Sequence, residues 1–388
     1  MTSPADLIIC GAGGILRRRD RRFPASFEAA DIASTLVFAS ENAGSLDRSG
    51  SFPEKELSQL VAIGAGLSLG SSGADANPSD ISVLRNLLSS IGYASLPVGR
   101  LFEGHVNALI LIGRYGTTEQ ARVAASDAVE GSIFGVWNTE GANGLRLCPA
   151  DGGDFLEGAK TFASGAGFIA RPLVTARLPD GESQMVLPRI PPKELSSRAD
   201  LLDWTATGMR ASVTGTFDFS GLKVLEGDLI GKAGDYQRQP TFSAGAWRFL
   251  AVQLGGMERL FDEACAHLKG IGRHEDPHQL ARMGEAAIAV ESARLWVSQA
   301  SERAEISRDE GAVAYVNLAR CAVERAGLDV LEHVNRSVGL AGFLAPHPVE
   351  RVSRDLATYL RQPGPDRALT EGARYVLVNK RLSPDPRS

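Results

Sequence analysis

Gly339-Leu340-Ala341-Gly342-Phe343, followed by Pro348-Val349-Glu350-Arg351 and Arg354-Asp355, is the stretch on which the fold of this chain turns. It is a glycine-rich turn between a long alanine-rich run, Val313 to Val338, and a segment opened by proline. Beyond Asp355 the chain meets Gln362-Pro363-Gly364-Pro365. Proline has no titratable group and no N–H, so Pro363 offers neither acid nor base. Gly364-Pro365 then redirects the chain ahead of Asp366 and Glu371.

Upstream of the turn the pattern is helical back to about Ala244. Phe249, Val252, Gly256, Leu260 and Ala264 fall along one helix face, and Ala287 to Ala304 and Val313 to Val338 are amphipathic with little Pro or Gly. Helices of that length predict an antiparallel bundle. Between Gly131 and Gly227 the chain is rich in β-formers and turns. Ile133 to Trp137, Leu173 to Leu178, Met185 to Pro188 and Phe217 to Phe219 read as strands. From Ser26 to Ala125 it is helical again. Ser51-Phe52-Pro53-Glu54 reads as a helix start with serine as cap, and Ile81 to Ile91 and Val106 to Tyr115 as further helices. The expected order is a poorly ordered arm (1–25), a helical domain (26–130), a β domain (131–230) and a helical bundle (231–388). The class is α+β, mainly α.

Composition excludes several functions. Net charge is −5, from 41 basic and 46 acidic residues, so no basic surface for nucleic acid is indicated. Hydrophobic residues make up 44% and charged residues 22%, which is ordinary for a globular chain. Cys10, Cys148, Cys265 and Cys321 are far apart and form no CxxC pair, so neither zinc nor a disulfide framework is expected, and the cytoplasm is the expected compartment. No apolar run reaches the ~20 residues that span a bilayer. Leu7-Ile8-Ile9 followed by Gly11-Ala12-Gly13-Gly14 is a partial dinucleotide fingerprint, but Leu16 takes the place of the third glycine and Arg17 to Arg19 follow.

In order and spacing, the chain resembles the acyl-CoA dehydrogenase family. Its glycine turn, PVER and RD are similar to the family's C-terminal signature. Gly116-Thr117 with Gln120 resembles a GT..Q turn. Trp137-Asn138-Thr139-Glu140 with Gly144 resembles the TEPGAGSD loop. Gly158 to Ala166 resembles the GxKxWITN strand, Gly208-Met209-Arg210-Ala211-Ser212 the GxRxS segment, and His278-Gln279 a histidine–glutamine pair on a bundle helix. The resemblance implies the acyl-CoA dehydrogenase fold: a helical N-terminal domain, a middle β-barrel and a C-terminal four-helix bundle. Phe162 to Ala166 and Asp203-Trp204 are more similar to the flavin-dependent monooxygenase relatives of that fold.

The resemblance also implies FAD as cofactor. Trp137 and Thr139 would lie near the flavin's pyrimidine edge, and Phe162 and Ser164 would take the family's ring-packing and hydroxyl positions. Arg273 or Arg282 would reach the FAD pyrophosphate of a neighbouring subunit, with Arg336, Gly339 and Gly342 at the turn beside it. That implies a homodimer or homotetramer sharing the flavin site. Leu145 and Arg146 replace a serine and an aspartate on the substrate side. The leucine would make an apolar wall; Arg146 would attract an anionic group or be a solvated loop residue. The substrate would be a small molecule, in the family's manner a thioester.

What is missing is the base. The family's catalytic glutamate lies eight residues beyond the RD aspartate, and that position is Pro363. A second family position, early in the first bundle helix, falls on Gly245. Monooxygenase relatives use a histidine after RD, and none follows His347. The remaining titratable candidates are Glu103 and His105, read as an acid–imidazole pair or a helix-start feature, with Asp366 and Glu371 beyond the break. The expected function is an FAD-binding oxidoreductase with a non-standard substrate. The alternatives are a two-component flavin monooxygenase and a non-catalytic flavin- or ligand-binding member of the fold.

Overall fold

The computed structural model describes residues 29–61, 63, 78–141, 143–151, 153–380 and 382. The Gly11–Gly14 segment, Cys10, Gly64 and the expected N-terminal arm lie outside the described residues.

The chain opens with helices α1 (Ala29–Ser49), α2 (Glu54–Ser58), α3 (Pro78–Ala94), α4 (Leu96–Tyr115) and α5 (Thr118–Val129). Pro53 itself occupies the N-cap position of α2, and no side chain caps that helix, so the expected Ser51 cap does not form. α4 begins at Leu96, a full ten residues before the expected Val106, because Ser95-Leu96-Pro97 supplies the start. Glu103 and His105 are therefore inside a helix, not at its start. Thr117 caps α5 in a reciprocal capping box with Gln120. Gln120 Nε2 continues to the carbonyls of Gly227 and Leu229, at 2.9 and 2.8 Å. The GT..Q turn thus bolts the helical part to the sheet.

The β region holds two sheets. β1 (Phe134–Trp137), β2 (Arg146–Cys148), β3 (Phe155–Glu157), β5 (Arg171–Arg177), β6 (Ser183–Val186) and β9 (Leu229–Ile230) form the larger one, in the order β3-β2-β5-β6-β9 with β1 parallel to β5. β4 (Ala159–Ser164) pairs antiparallel with β8 (Thr214–Asp218), which pairs with β7 (Ala199–Asp200). A short helix, α6 (Pro192–Leu195), precedes β7. The expected strand and return at 173–188 are β5 and β6, with Val174 opposite Val186.

After α7 (Thr241–Ala244) the chain forms the bundle: α8 (Trp247–Gly270), α9 (Pro277–Ile306), α10 (Glu310–Val338), α11 (Pro348–Tyr359) and α12 (Pro365–Asn379). Asp276 and Asp309 cap α9 and α10 through their carboxylates, which is why short links suffice to reverse the chain. α8 also joins the bundle to the N-terminal helices. A Cβ on Gly92 would stand 2.1 Å from the Val252 carbonyl oxygen, and one on Gly255 1.9 Å from that of Ser89. Only glycine lets α3 and α8 approach that closely. Among the described residues no helix is long and apolar enough to cross a membrane, and no group of three or more His, Cys, Asp or Glu side chains could hold a metal.

Candidate functional site

β4 carries the most unusual side chain of the β region. The pairing of β4 with β8 slips between Lys160 and Ala163. Phe162 sits in that bulge with φ +52°. Without the slip, the two-residue period would put Phe162 on the same side as Lys160, which is fully buried. Instead Phe162 is turned out and is 61% exposed. Its ring meets the Trp204 ring edge-on, with centroids 6.4 Å apart. The Trp204 indole N–H is buried and has no hydrogen-bond partner among the described residues.

Lys160 explains what holds the bulge. Its ammonium reaches Glu140 at 2.8 Å, Thr175 at 3.1 Å and the Asn138 carbonyl at 3.3 Å. Burial lowers its pKa, and Glu140 opposes that. The other Glu140 oxygen accepts the Leu145 amide at 2.8 Å. Thr139, beside it, is exposed, and its carbonyl accepts the Thr161 amide at 3.0 Å. The loop is thereby fastened to β4. Leu145 is fully buried in the core, so the expected apolar substrate wall is not formed by its side chain. Arg146 is exposed on β2.

Ser164 closes the other end of β4. Its Oγ accepts from Thr214 at 3.3 Å; Thr214 Oγ1 in turn lies 2.8 Å from Ser212 Oγ, which donates to the Met209 carbonyl at 2.7 Å. Trp137 is buried, and its indole N–H donates to the Ser164 carbonyl at 3.0 Å. Trp137 is therefore a support for the strand, not a surface group. The Gly208–Ser212 segment is pinned from the bundle. A Cβ on Gly208 would stand 2.0 Å from the Arg354 carbonyl oxygen, and the Met209 amide donates to Asp355.

A third wall comes from α4. Arg100 lines a small, partly open pocket with Gly104, Trp137 and Ser164. Glu103 holds Arg100 at 2.6 Å and also accepts from Asn107. Both its oxygens are thus engaged. His105 is fully buried: Nε2 faces the Val61 carbonyl at 2.9 Å and Nδ1 accepts the Phe134 amide at 3.1 Å. Burial pushes its pKa down to about 4, so it is neutral near pH 7. The acid–imidazole pair does not exist as a unit: Glu103 positions an arginine, and His105 ties α4 to β1.

A wider surface cleft of about 590 Å³ opens beside Trp204, between α1, the Gly208 segment and α11. Its central cation, Arg354, is spent on Asp47 at 2.7 Å, Glu350 at 2.5 Å and the Thr207 carbonyl at 2.6 Å. The cleft is a clamped seam with exposed Arg48 and Arg210 at its rim.

Residues 233–367 match the family description "Acyl-CoA dehydrogenase, C-terminal domain". The chain has the acyl-CoA dehydrogenase fold, and the family match itself covers its C-terminal bundle. Among its relatives is a dibenzothiophene monooxygenase of Mycolicibacterium goodii, 23% identical over 360 residues, with 82% of this chain and 85% of that protein covered. FMN-bound TdsC from Paenibacillus sp. A11-2 superposes with a TM-score of 0.77 at 20% identity, over 91% of this chain and 97% of that one. The methanesulfinate monooxygenase MsuC of Pseudomonas fluorescens superposes at 0.74 and 20% identity, over 92% and 98%.

These relatives correct one expectation of the sequence. The cofactor bound by TdsC is FMN, and a further relative, 25% identical over 262 residues in Pseudomonas putida, is described as FMNH2-dependent. FAD, carried over from the dehydrogenase branch, is overturned. The motifs that prompted it (Thr139, Phe162, Ser164) concern the isoalloxazine ring, which FMN and FAD share; nothing in them reads the adenylate.

The family's two base positions are filled by other chemistry. Pro363 is exposed, and its carbonyl accepts Arg320 Nη2 at 2.6 Å. Gly364 turns with φ +66°, sending α12 away. Asp366 is exposed in the first turn of α12 and Glu371 is bound by Arg367 at 2.6 Å, so neither replaces the lost carboxylate. At Gly245, a Cβ would stand 2.8 Å from Arg248 Nη1. A guanidinium occupies the space into which a side chain at 245 would grow.

The remaining flavin candidates lie at one end of the bundle, where α8 ends, α9 begins and α10 ends. Arg273 is exposed and paired with Asp276 at 2.9 Å; Arg336 is exposed and paired with Glu332 at 3.1 Å. Arg282 is partly buried near the start of α9. Gly339 has φ +67° and open space about it, and Gly342 is buried against Val338 and Val349. Leu340, in the place of a glycine, is 74% exposed and obstructs nothing within the chain. Arg100 and Arg248 complete the site and were not among the residues expected from motifs; Trp204 was singled out only through its likeness to the monooxygenase relatives, with no role given to it. An Arg–Glu pair at i, i+3 on one helix was the available signal for Arg100.

Proposed function

We propose that this chain is a monooxygenase that uses reduced FMN delivered by a separate reductase. The observation that carries the reading is Phe162, turned out of the barrel by the bulge and set against Trp204, in a chain with no carboxylate at either dehydrogenase base position. The residues fit the cofactor. Phe162 offers an apolar face to a flat ring, Thr139 and Ser164 offer hydroxyls beside it, and the buried Trp204 N–H lacks an acceptor. Reduced FMN, when bound, supplies the two electrons and the ring on which dioxygen is activated. Phe162 and Trp204 would shield the bound ring from water, Ser164 would offer it a hydroxyl, and Arg100 lines the neighbouring pocket.

We further propose a homodimer or homotetramer in which Arg273, Arg282, Arg336 and the Gly339–Gly342 turn of one subunit serve the flavin of another. Exposed Leu280, Ile288 and Leu295 along α9 support an apolar contact between copies. A cytoplasmic location is consistent with free Cys148, Cys265 and Cys321.

The test is a pair of titrations, FMN and FAD, followed by flavin fluorescence. The reading expects FMN to bind the tighter. Reductase-supplied FMNH2 with ¹⁸O₂ should then place one labelled oxygen in a product. Absence of FMN binding, or efficient dye-coupled oxidation of an acyl-CoA, would sink it.

A further inference from the structure

Three hydroxyls, those of Ser212, Thr214 and Ser164, form a row that ends at the candidate flavin site. Ser164 and Thr214 are direct partners across β4 and β8. Val213, with φ +43°, turns the chain so that Ser212 lies beside Thr214, with 2.8 Å between their oxygens. The Gly165 amide donates to the carbonyls of Ser212 and Val213 at 2.8 and 3.1 Å, which ties that turn to the end of β4. Ser212 is 1% exposed and Thr214 4%, so bulk water does not compete for their bonds.

Each hydroxyl has one proton to give and two lone pairs that receive. Ser212 gives its proton to the Met209 carbonyl at 2.7 Å. That carbonyl is held in place, since the Met209 amide donates to Asp355. The contact between Ser212 and Thr214 is therefore filled by the Thr214 proton. Ser164 Oγ, at 3.3 Å, is placed to accept the same proton. One proton thus serves two acceptors, one inward and one toward the site. The Ser164 proton has no acceptor among the described residues, and Ser164 lines the pocket it shares with Arg100. Where Thr214 points sets what Ser164 offers. When Thr214 donates to Ser164, that hydroxyl is polarised and is the better donor. When Thr214 turns to Ser212, the Ser164 oxygen is open and is the better acceptor. The edge of an isoalloxazine ring changes in the same respect: oxidised, it presents a bare nitrogen that accepts; reduction by two electrons puts a proton on that nitrogen, which then donates. A hydroxyl can meet both forms, whereas a backbone amide or carbonyl suits only one.

We propose that Thr214 and Ser212 are positioning residues that set, through Ser164, the balance between oxidised and reduced FMN at this site. The proposal rests on the flavin reading above and deepens it. Thr214, by donating to Ser164, favours the oxidised form. Ser212 draws the same proton inward over the shorter distance and so favours the reduced form, which is the one the proposed reaction consumes.

The experiment measures the ratio of the dissociation constants of oxidised and reduced FMN on the full chain, by anaerobic titration, with the midpoint potential of the bound flavin as a second readout. Thr214→Val keeps the side-chain shape and removes the shared proton. It should move the ratio about fivefold toward reduced FMN, the worth of one neutral hydrogen bond, which is about 20 mV upward in a two-electron potential. Ser212→Ala leaves Thr214 with Ser164 as its acceptor, so it should move the ratio by a similar factor the other way. Thr214→Ser restores the proton and should match wild type. Side chains that merely held β4 in place would weaken both forms together and shift both variants alike. An unchanged ratio in Thr214→Val, or shifts of the same sign in Thr214→Val and Ser212→Ala, overturns the proposal. If one of these two variants does not fold, the sign of the other, measured against Thr214→Ser, decides the matter. Failure of wild type to bind either form of FMN would defeat the flavin reading itself; FMN binding with a ratio indifferent to Thr214 defeats only this one.

Discussion

Asp355 Oδ1 accepts the backbone N–H of Met209 at 2.6 Å, across 146 positions of sequence. Asp355 is fully buried, with Arg351 3.4 Å away on the same helix. Met209 has φ +59° and Val213 φ +43°, so the segment that carries Ser212 against Thr214 and Ser164 is bent into an unfavourable backbone shape. One carboxylate in the bundle therefore sets the hydroxyl row behind β4. This gives the RD pair a structural meaning: Asp355 holds the Gly208–Ser212 segment, and Arg354 locks it to Asp47.

The same carboxylate yields a pH prediction. Burial, against Arg351 and the Met209 amide, pushes the Asp355 pKa up to about 6. A raised pKa means the folded chain binds the proton more tightly, so this group's contribution to stability falls as pH rises from about 4 to 6. His105 works in the opposite sense. Its pKa is depressed to about 4, so its contribution is lost as pH falls from about 6.5 toward 4. In wild type the two offset each other. Asp355→Asn removes the first and leaves the second, so the variant should lose about 2 kcal/mol more than wild type on acidification from pH 6 to 4. Urea denaturation of both proteins at pH 7, 6, 5 and 4 measures it. Parallel curves would show that Asp355 does not titrate in that window.

Phe162 separates fold from function. It is exposed, and its φ of +52° is costly for any residue but glycine. Phe162→Gly should leave thermal stability unchanged or raise it by up to about 1 kcal/mol. FMN affinity should fall by about tenfold, the worth of one aromatic contact with a flat ring. Calorimetric melting and fluorescence titration are the two measurements. A core role for Phe162 would reverse both results.

That residue also marks how far the sequence could be read. The α–β–α order, the bundle helices and the β5–β6 hairpin were legible because period and turn residues carry them locally. The place of Phe162 was legible only through motif likeness, since a phenylalanine on a strand normally faces the core. The bulge depends on Lys160 finding Glu140, Thr175 and Asn138, contacts between segments that no local pattern announces. His105 and Leu145 misled for the same reason: each was read by its chemistry alone, and each is fully buried. The Arg248 guanidinium beside Gly245 was hidden because an empty position in sequence says nothing about which neighbour fills it.

Dehydrogenase activity should be negligible and should resist simple repair. Removal of an α-proton needs a positioned base, and lack of one costs ~10²–10⁴ in rate. Pro363→Glu places a carboxylate on an exposed turn whose carbonyl is already bound by Arg320. Gly245→Glu brings its Cβ within 2.8 Å of Arg248, where the new carboxylate would be paired with that guanidinium and its basicity lowered. Neither variant should reduce a dye with straight-chain or branched acyl-CoAs, whether or not flavin is present. Turnover restored by either one would mean that the pocket still accepts a thioester, and would return the dehydrogenase reading to the front.

The assembly supplies the last prediction. On α9, Ala286, Ala289, Val290, Ala293 and Val297 face the core, while Leu280, Ile288 and Leu295 are 53%, 63% and 60% exposed on the other side. A helix apolar on both faces is in general buried on both. A second copy packed on that face would also carry Arg282, on the same helix, toward a neighbouring barrel. Ile288→Arg should therefore shift the protein toward monomer in sizing chromatography with light scattering. FMN affinity should fall in step, although Thr139, Phe162 and Ser164 are untouched. Protein concentration gives the control, since mass action should restore both assembly and affinity at high concentration. A monomeric variant that still bound FMN as wild type does would place the whole flavin site within one chain, and would remove Arg273, Arg282 and Arg336 from it.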